Sequence, residues 1–246
     1  MSDLLPLDSF RVHHDLNSVV WDGDRMRPEV HEKLMEIAKR FYEHLGIKAK
    51  IRDVWLTGSL ANYNWSRFSD VDLHVLLDFK EIDENEDLVR ELTTAKKNEW
   101  NDQHDVYIGP FEVELYAQDV HEPHEATGVY SVKNNRWVRK PNREAPNIDL
   151  RAVARKARGM MKRIDHSLKN YDCDHDCLDR TMDRVKKMRQ CGLDKGGEFS
   201  TENLAFKILR RNGYLEKLSE ERRRRLDQEL SMPSRIAKRW FDGQRG

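Results

Sequence analysis

The run Asp70-Val71-Asp72-Leu73-His74-Val75-Leu76-Leu77 alternates polar and apolar residues from its first position. Such alternation is a strand with Val71, Leu73 and Val75 turned to a core and Asp70, Asp72 and His74 on the other face. The first face needs a layer to bury it, and the second needs something other than a core. Asp53-Val54-Trp55-Leu56-Thr57 reads as the strand before it, ending in Gly58-Ser59. His104–Ile108 and Phe111–Tyr116 flank Gly109-Pro110, and Val129–Val132 and Arg136–Val138 flank Lys133-Asn134-Asn135, two hairpin patterns. Helices are expected over 28–45, from the stripe Val30, Leu34, Ile37, Phe41 and Leu45 with Pro28 at its start and Gly46 at its stop, and over about 86–102.

Beyond Lys140–Asn147, a linker-like stretch rich in Pro and Asn, the period becomes helical. Leu150, Val153, Ala157, Met161, Ile164 and Leu168 mark one helix, and Leu178, Met182, Val185 and Met188 a second. Residues 201–212, 215–230 and 234–241 read as three more, with Gly192, Gly213 and Pro233 as punctuation. The fold class expected is α+β: a small mixed β-sheet core with helices on one face over 1–140, and a helical module over 147–246.

The 246 residues carry 44 basic and 44 acidic side chains, but unevenly. Residues 1–146 hold 19 basic and 28 acidic, and residues 147–246 hold 25 and 16. A basic helical module is suited to phosphates or a nucleic-acid backbone. No run approaches the roughly 18 apolar residues of a membrane helix, so no membrane partner is expected. MSDLLPLDSF lacks signal-peptide architecture, which makes the cytoplasm the expected location (a host cytoplasm if the chain is phage-encoded). Cys173, Cys177 and Cys191 are too few for a disulfide framework.

The chemistry concentrates in Thr57–Asp72. Two carboxylates two residues apart on a strand share a face, where their ionisation is mutually unfavourable until a cation joins them. Mg²⁺ takes one or two protein carboxylates together with substrate phosphate oxygens. Gly58-Ser59 at a strand end supplies close backbone approach, N–H donors and a hydroxyl, the parts of a phosphate cradle where a helix begins. Together they point to phosphoryl or nucleotidyl transfer.

Gly58-Ser59, a ten-residue spacer and Ser69-Asp70-Val71-Asp72-Leu73 at the start of a strand resemble the signature of the DNA polymerase β-like nucleotidyltransferase superfamily, and within it stand-alone phage and bacterial predicted nucleotidyltransferases. The motifs cover about 53–118. The resemblance implies a nucleotidyltransferase core in which Asp70 and Asp72 hold two Mg²⁺ (or Mn²⁺) ions, and a carboxylate on a later strand shares one of them. Glu112 and Glu114 both qualify. Glu114 is preferred because it lies inside the apolar alternation rather than beside the turn, although the superfamily more often has Asp there. Gly58, Ser59 and nearby amides would hold the NTP phosphates. Independently of the resemblance, Lys207 and Arg210, one turn apart in the basic helical module, are the candidates for a phosphate-reaching pair. An acceptor hydroxyl would attack the α-phosphate and pyrophosphate would leave. RNA 3′ ends, protein hydroxyls (AMPylation) and small molecules are all acceptors within the class. A non-catalytic nucleotide- or RNA-binding protein on the same fold, and an interaction protein using its basic helices, are the readings outside it.

Other motifs have plainer readings. His74 continues the acidic face and could touch metal-bound substrate, but is expected as a supporting or exposed strand residue, and His121-x2-His124, broken by Pro123, as a loop near the site entrance because it follows the Glu114 strand closely. Cys173-Asp174-His175-Asp176-Cys177 is a polar helix start rather than a zinc site, since it lacks a second ligand cluster. Arg222–Arg225 is a solvated helix face diluted by acids. Tyr130-Ser131 could line a base pocket or belong to the core.

Overall fold

A computed structural model describes residues 7–124, 126–143 and 147–232. They fall into two compact units, one within Asp8–Ala145 and the other within Pro146–Gly246 together with Leu7. The molecule is mixed α and β, with a six-stranded sheet, a two-stranded sheet and six α-helices among the described residues.

The first unit opens with a hairpin of β1 (Trp21–Asp22) and β2 (Arg25–Met26). Then come α1 (Pro28–Leu45), β3 (Asp53–Thr57), β4 (Val71–Leu77), α2 (Glu86–Gln103), β5 (Tyr107–Ile108), β6 (Phe111–Asp119), β7 (Val129–Ser131) and β8 (Arg136–Arg139). The apolar stripe of α1 is buried along its whole length, and Gly46 stops the helix in the left-handed region at φ 66°, its N–H donating to Glu43 O. The sheet runs β5-β6-β4-β3-β7-β8, with β4 and β6 parallel and the other pairs antiparallel. A parallel pair needs a crossover, and α2 supplies it, packing on β6 and on α1. Beyond the two residues of β5, the Asn101 side chain of α2 accepts from Leu115 N and donates to Leu115 O, both at 3.3 Å.

Register divides the sheet's faces. Val54 stands opposite Val75, Leu56 opposite Leu73 and Leu73 opposite Leu115, and all are buried with Leu34 and Phe41 of α1 in one core. Burying each such side chain contributes about 1.5–3 kcal/mol relative to exposure. Thr57, Asp72, Glu114, Trp55, His74 and Tyr116 alternate with these residues and occupy the other face. Tyr130 stands opposite Leu56, so it faces the core, 3% exposed and edge-on to Trp21 and Trp137. It therefore does not share the carboxylates' face and lines no base pocket there.

The second unit contains α3 (Leu150–Lys169), α4 (His175–Gly196), α5 (Thr201–Arg211) and α6 (Tyr214–Leu230). Asp149, Asp174 and Ser200 cap the first three, accepting from Ala152, Cys177 and Asn203 N. Gly192 is not punctuation: it lies inside α4, which ends only at Gly196–Gly197. A β-carbon on Gly192 would lie 2.5 Å from Glu202 Cβ and 2.7 Å from Ser200 Oγ, so it is the close approach of α5's start that calls for glycine. Cys173 and Cys177 form a disulfide with Cα atoms 5.2 Å apart. Cys173, just before the N-cap Asp174, and Cys177, in the first turn of α4, come within bonding distance, giving a local clip rather than a framework and leaving neither of the two as a zinc ligand. The helix expected over 234–241 lies outside the described residues.

Candidate functional site

Antiparallel pairing sets Thr57 opposite Asp72, and parallel pairing sets Asp72 opposite Glu114. Asp70 immediately precedes β4. Carboxylate oxygens of Asp70, Asp72 and Glu114 lie within 4.8 Å of one another. Glu112 stands opposite Tyr107 of β5 and is exposed, so of the two glutamates it is Glu114 that joins the pair.

Gly58 lies under this cluster. Its backbone has φ 71° and ψ −159°, and a β-carbon there would sit 1.8 Å from Asp72 Oδ2. The motif's glycine thus makes the space that the second aspartate fills. Ser59 begins a three-residue 3-10 turn, Ser59–Ala61, not a full helix, so an anion here would meet N–H groups and a hydroxyl rather than a helix dipole. The Ser59 hydroxyl bonds that of Ser69 at 2.7 Å, and Ser69 Oγ accepts from Ser66 N at 2.9 Å. These bonds tie the spacer's two ends together beside Asp70.

One row along the strands, Tyr116 donates its hydroxyl to Glu114 Oε2 at 2.5 Å and so fixes one oxygen of that carboxylate. Burial, then the carboxylates of Asp72, Glu114 and Asp70, push the Tyr116 phenol well above its ordinary range, so it stays a donor. His74 stacks on Tyr116 with ring centroids 4.7 Å apart, and its Nε2 lies 3.2 Å from Thr57 Oγ1. Burial, then His124, push the His74 imidazole down to about 4, with neighbouring Gln118 working the other way. The imidazole is neutral at pH 7 and adds no charge beside the carboxylates. His124 is edge-on to both His74 and Trp55, and its pKa is lowered by burial and then by Arg139. The loop carrying His124 thus folds onto this face, in keeping with its place directly after the Glu114 strand.

Asp78, Asp119 and His121 form a second cluster at the far ends of β4 and β6. Arg52 Nη2 and His121 Nε2 both lie 3.6 Å from Asp78 Oδ2, and Asp119 accepts from Phe79 N. Arg52 and a backbone N–H thus already engage its two aspartates, and it reads as structural. The first is different: three carboxylates converge where a missing β-carbon makes room for an oxygen, a donor set that fits a hard divalent cation. Lys207, half-buried, and Arg210, exposed, lie on α5 of the helical unit and are not among the residues this sheet gathers.

No family model, no curated protein and no solved structure matches the chain. No helix among the described residues is long and apolar enough to cross a membrane.

Proposed function

We propose that the chain is a metal-dependent nucleotidyltransferase, moving an NMP from an NTP to an acceptor hydroxyl with release of pyrophosphate. The convergence of Asp70, Asp72 and Glu114 over Gly58 carries this reading. Mg²⁺ or Mn²⁺ held by these three carboxylates would neutralise phosphate charge and favour the deprotonated acceptor. Gly58 and Ser59 border the position of the triphosphate, while Tyr116 keeps Glu114 oriented. Lys207, a phosphate contact expected from the sequence, is tested by the NTP KM of Lys207→Ala.

The test is incubation with α-labelled NTPs, Mg²⁺ or Mn²⁺, and RNA, protein and small-molecule acceptors. Transfer of label by the wild type and its loss, by about a hundred- to a thousandfold, in Asp70→Asn and Asp72→Asn is expected, as for removal of central electrostatic groups. Label transfer that survives both substitutions would sink the proposal. Metal-dependent NTP binding without any transfer would make the chain a nucleotide-binding protein instead.

A further inference from the structure

Helix α3 turns one face to the core of its unit and the opposite face to solvent. Val153, Ala157 and Ile164 are fully buried. Arg151, Arg155, Arg158, Lys162, His166 and Lys169, spaced by three and four, form one exposed row on the other side. At 1.5 Å per residue the row runs about 27 Å. The helix carries seven Lys or Arg residues and one acid, Asp165, which accepts from the Tyr214 hydroxyl of α6. Among the described residues only Lys156 of the seven is in an ion pair, with Glu202 of α5. The capping carboxylate of Asp149 accepts from Ala152 N, with Arg155 and Arg151 nearby but beyond ion-pair distance. Like charges one turn apart oppose the helix, so the row does nothing for the fold.

Gly159 lies in the middle of α3, exposed, and nothing is within 4 Å of the place a β-carbon would take. Glycine inside a helix costs stability relative to alanine, and here, unlike at Gly192, no packing inside the protein calls for it. Its neighbours on the helix surface, three and four residues away, are Arg155, Lys156, Lys162 and Arg163. The missing side chain leaves a strip of bare backbone ringed by cations, where an anionic partner can come closest to the helix.

The chemistry selects among polyanions. A membrane-surface helix sinks its apolar face into lipid, but that face of α3 is taken up by the core of its own unit. Single strands are held by bases stacked on aromatic rings as well as by charge. No Phe, Tyr or Trp lies on α3, and the fully exposed Tyr171 is beyond its cap. Guanidinium forks and ammonium groups along one line suit phosphates repeated along a stiff backbone. We infer that the outer face of α3 docks the phosphodiester backbone of a double-stranded nucleic acid without reading its sequence. This surface needs neither an NTP nor the carboxylates of the first unit, so it stands whether or not the chain transfers nucleotides.

Fluorescence anisotropy of the intact chain with short labelled duplexes of two unrelated sequences, as DNA and as RNA, over a salt series tests it. Both sequences should bind alike, with log Kd rising against log salt at a slope of roughly 4, as for four or five phosphates neutralised. Arg155→Gln, Lys162→Gln and Arg163→Gln combined should weaken binding at least about tenfold and lower that slope by roughly 2 to 3. Gly159→Gln should raise the melting temperature by a few degrees yet weaken duplex binding several-fold, opposite signs that a merely structural glycine would not give. Lys39→Gln, Lys48→Gln and Lys50→Gln combined, at exposed lysines of the first unit, remove the same charge and should leave affinity within about twofold. The inference is overturned by no duplex binding at low salt, by equal weakening in that control, or by a triple α3 variant or Gly159→Gln that binds like the wild type. Tighter binding of single-stranded RNA, polyglutamate or phosphatidylserine vesicles than of duplex overturns it as well.

Discussion

At Gly58 the backbone occupies φ 71°, ψ −159°, a region essentially confined to glycine, and Asp72 Oδ2 lies where a β-carbon would be. Gly58→Ala therefore meets two obstacles at once, backbone strain of about 1–3 kcal/mol and a collision with the carboxylate. The expected outcome is a lower melting temperature together with Mn²⁺ affinity reduced about tenfold, the size of effect seen when a ligand's support is disturbed. Titration of Mn²⁺ by electron paramagnetic resonance reads the second quantity directly. Gly46→Ala is the matched control. It sits at φ 66° with nothing within 4 Å of its missing β-carbon, so it should cost stability and leave Mn²⁺ affinity alone. Equal loss of metal affinity in both variants would show that Gly58 acts only through folding.

Among the elements, the end of α3 depends on a network carried by α6. Arg225 donates to Leu168 O and Asn170 O, carbonyls at the end of α3, and its Nε donates to Glu221 Oε1 at 2.8 Å. Arg224 also grips Glu221 with two donors. Chiefly Arg224, and then Arg225, hold the Glu221 carboxyl at about 2 against the opposing effect of burial. Because the folded-state pKa is depressed, this stabilisation is fully present above about 4.5 and is lost as pH falls from there towards 2. With the pair partly solvated the contribution is on the order of 1 kcal/mol. Thermal melts at pH 6 and pH 3 should show Glu221→Gln destabilising at the first and roughly half as destabilising at the second, where the folded carboxylate is still ionised but the unfolded one is protonated. A constant difference across that range would overturn the assignment. Elements such as α1, β3 and β4 are legible in the sequence because each is long enough to show its period. The β1–β2 hairpin is not, since two-residue strands have no period; Trp21 there is instead held by tertiary contacts, its Nε1 donating to Leu60 O at 2.7 Å. Gly192 misleads for a related reason: a glycine set by an approaching helix looks, in one dimension, like one that ends a helix. Asp70, Asp72 and the choice of Glu114 follow from alternation, whereas the meeting of His74 with His124 joins positions fifty residues apart that no local pattern links.

At the scale of the whole molecule, a net charge of zero is the sum of an acidic stretch and a basic one. The acidic stretch up to residue 146 contains all three carboxylates, Gly58 and Tyr116, and the basic stretch after it contains Lys207 and Arg210. The contact boundary between the two compact units falls between Ala145 and Pro146, inside the Pro- and Asn-rich stretch where the hydrophobic period changes. Each unit buries a core of its own: Leu56, Leu73 and Leu115 in the first, Ile164, Leu178 and Leu204 in the second. A fragment of residues 8–145 should therefore melt cooperatively by itself. If the metal-holding cluster belongs to that unit alone, the fragment binds Mn²⁺ within about twofold of the intact chain, a difference below 0.5 kcal/mol. NTP affinity in the presence of Mn²⁺ tests the basic stretch: a contribution from it would show as weaker binding by the fragment, with less dependence on salt. Calorimetric titration of both proteins with Mn²⁺ and then with a nonhydrolysable NTP separates the two quantities. A folded fragment that binds the nucleotide as tightly as the whole chain would release the helical unit from any part in holding phosphates. One that folds but has lost Mn²⁺ would mean that Asp70, Asp72 and Glu114 do not suffice as the metal-holding set.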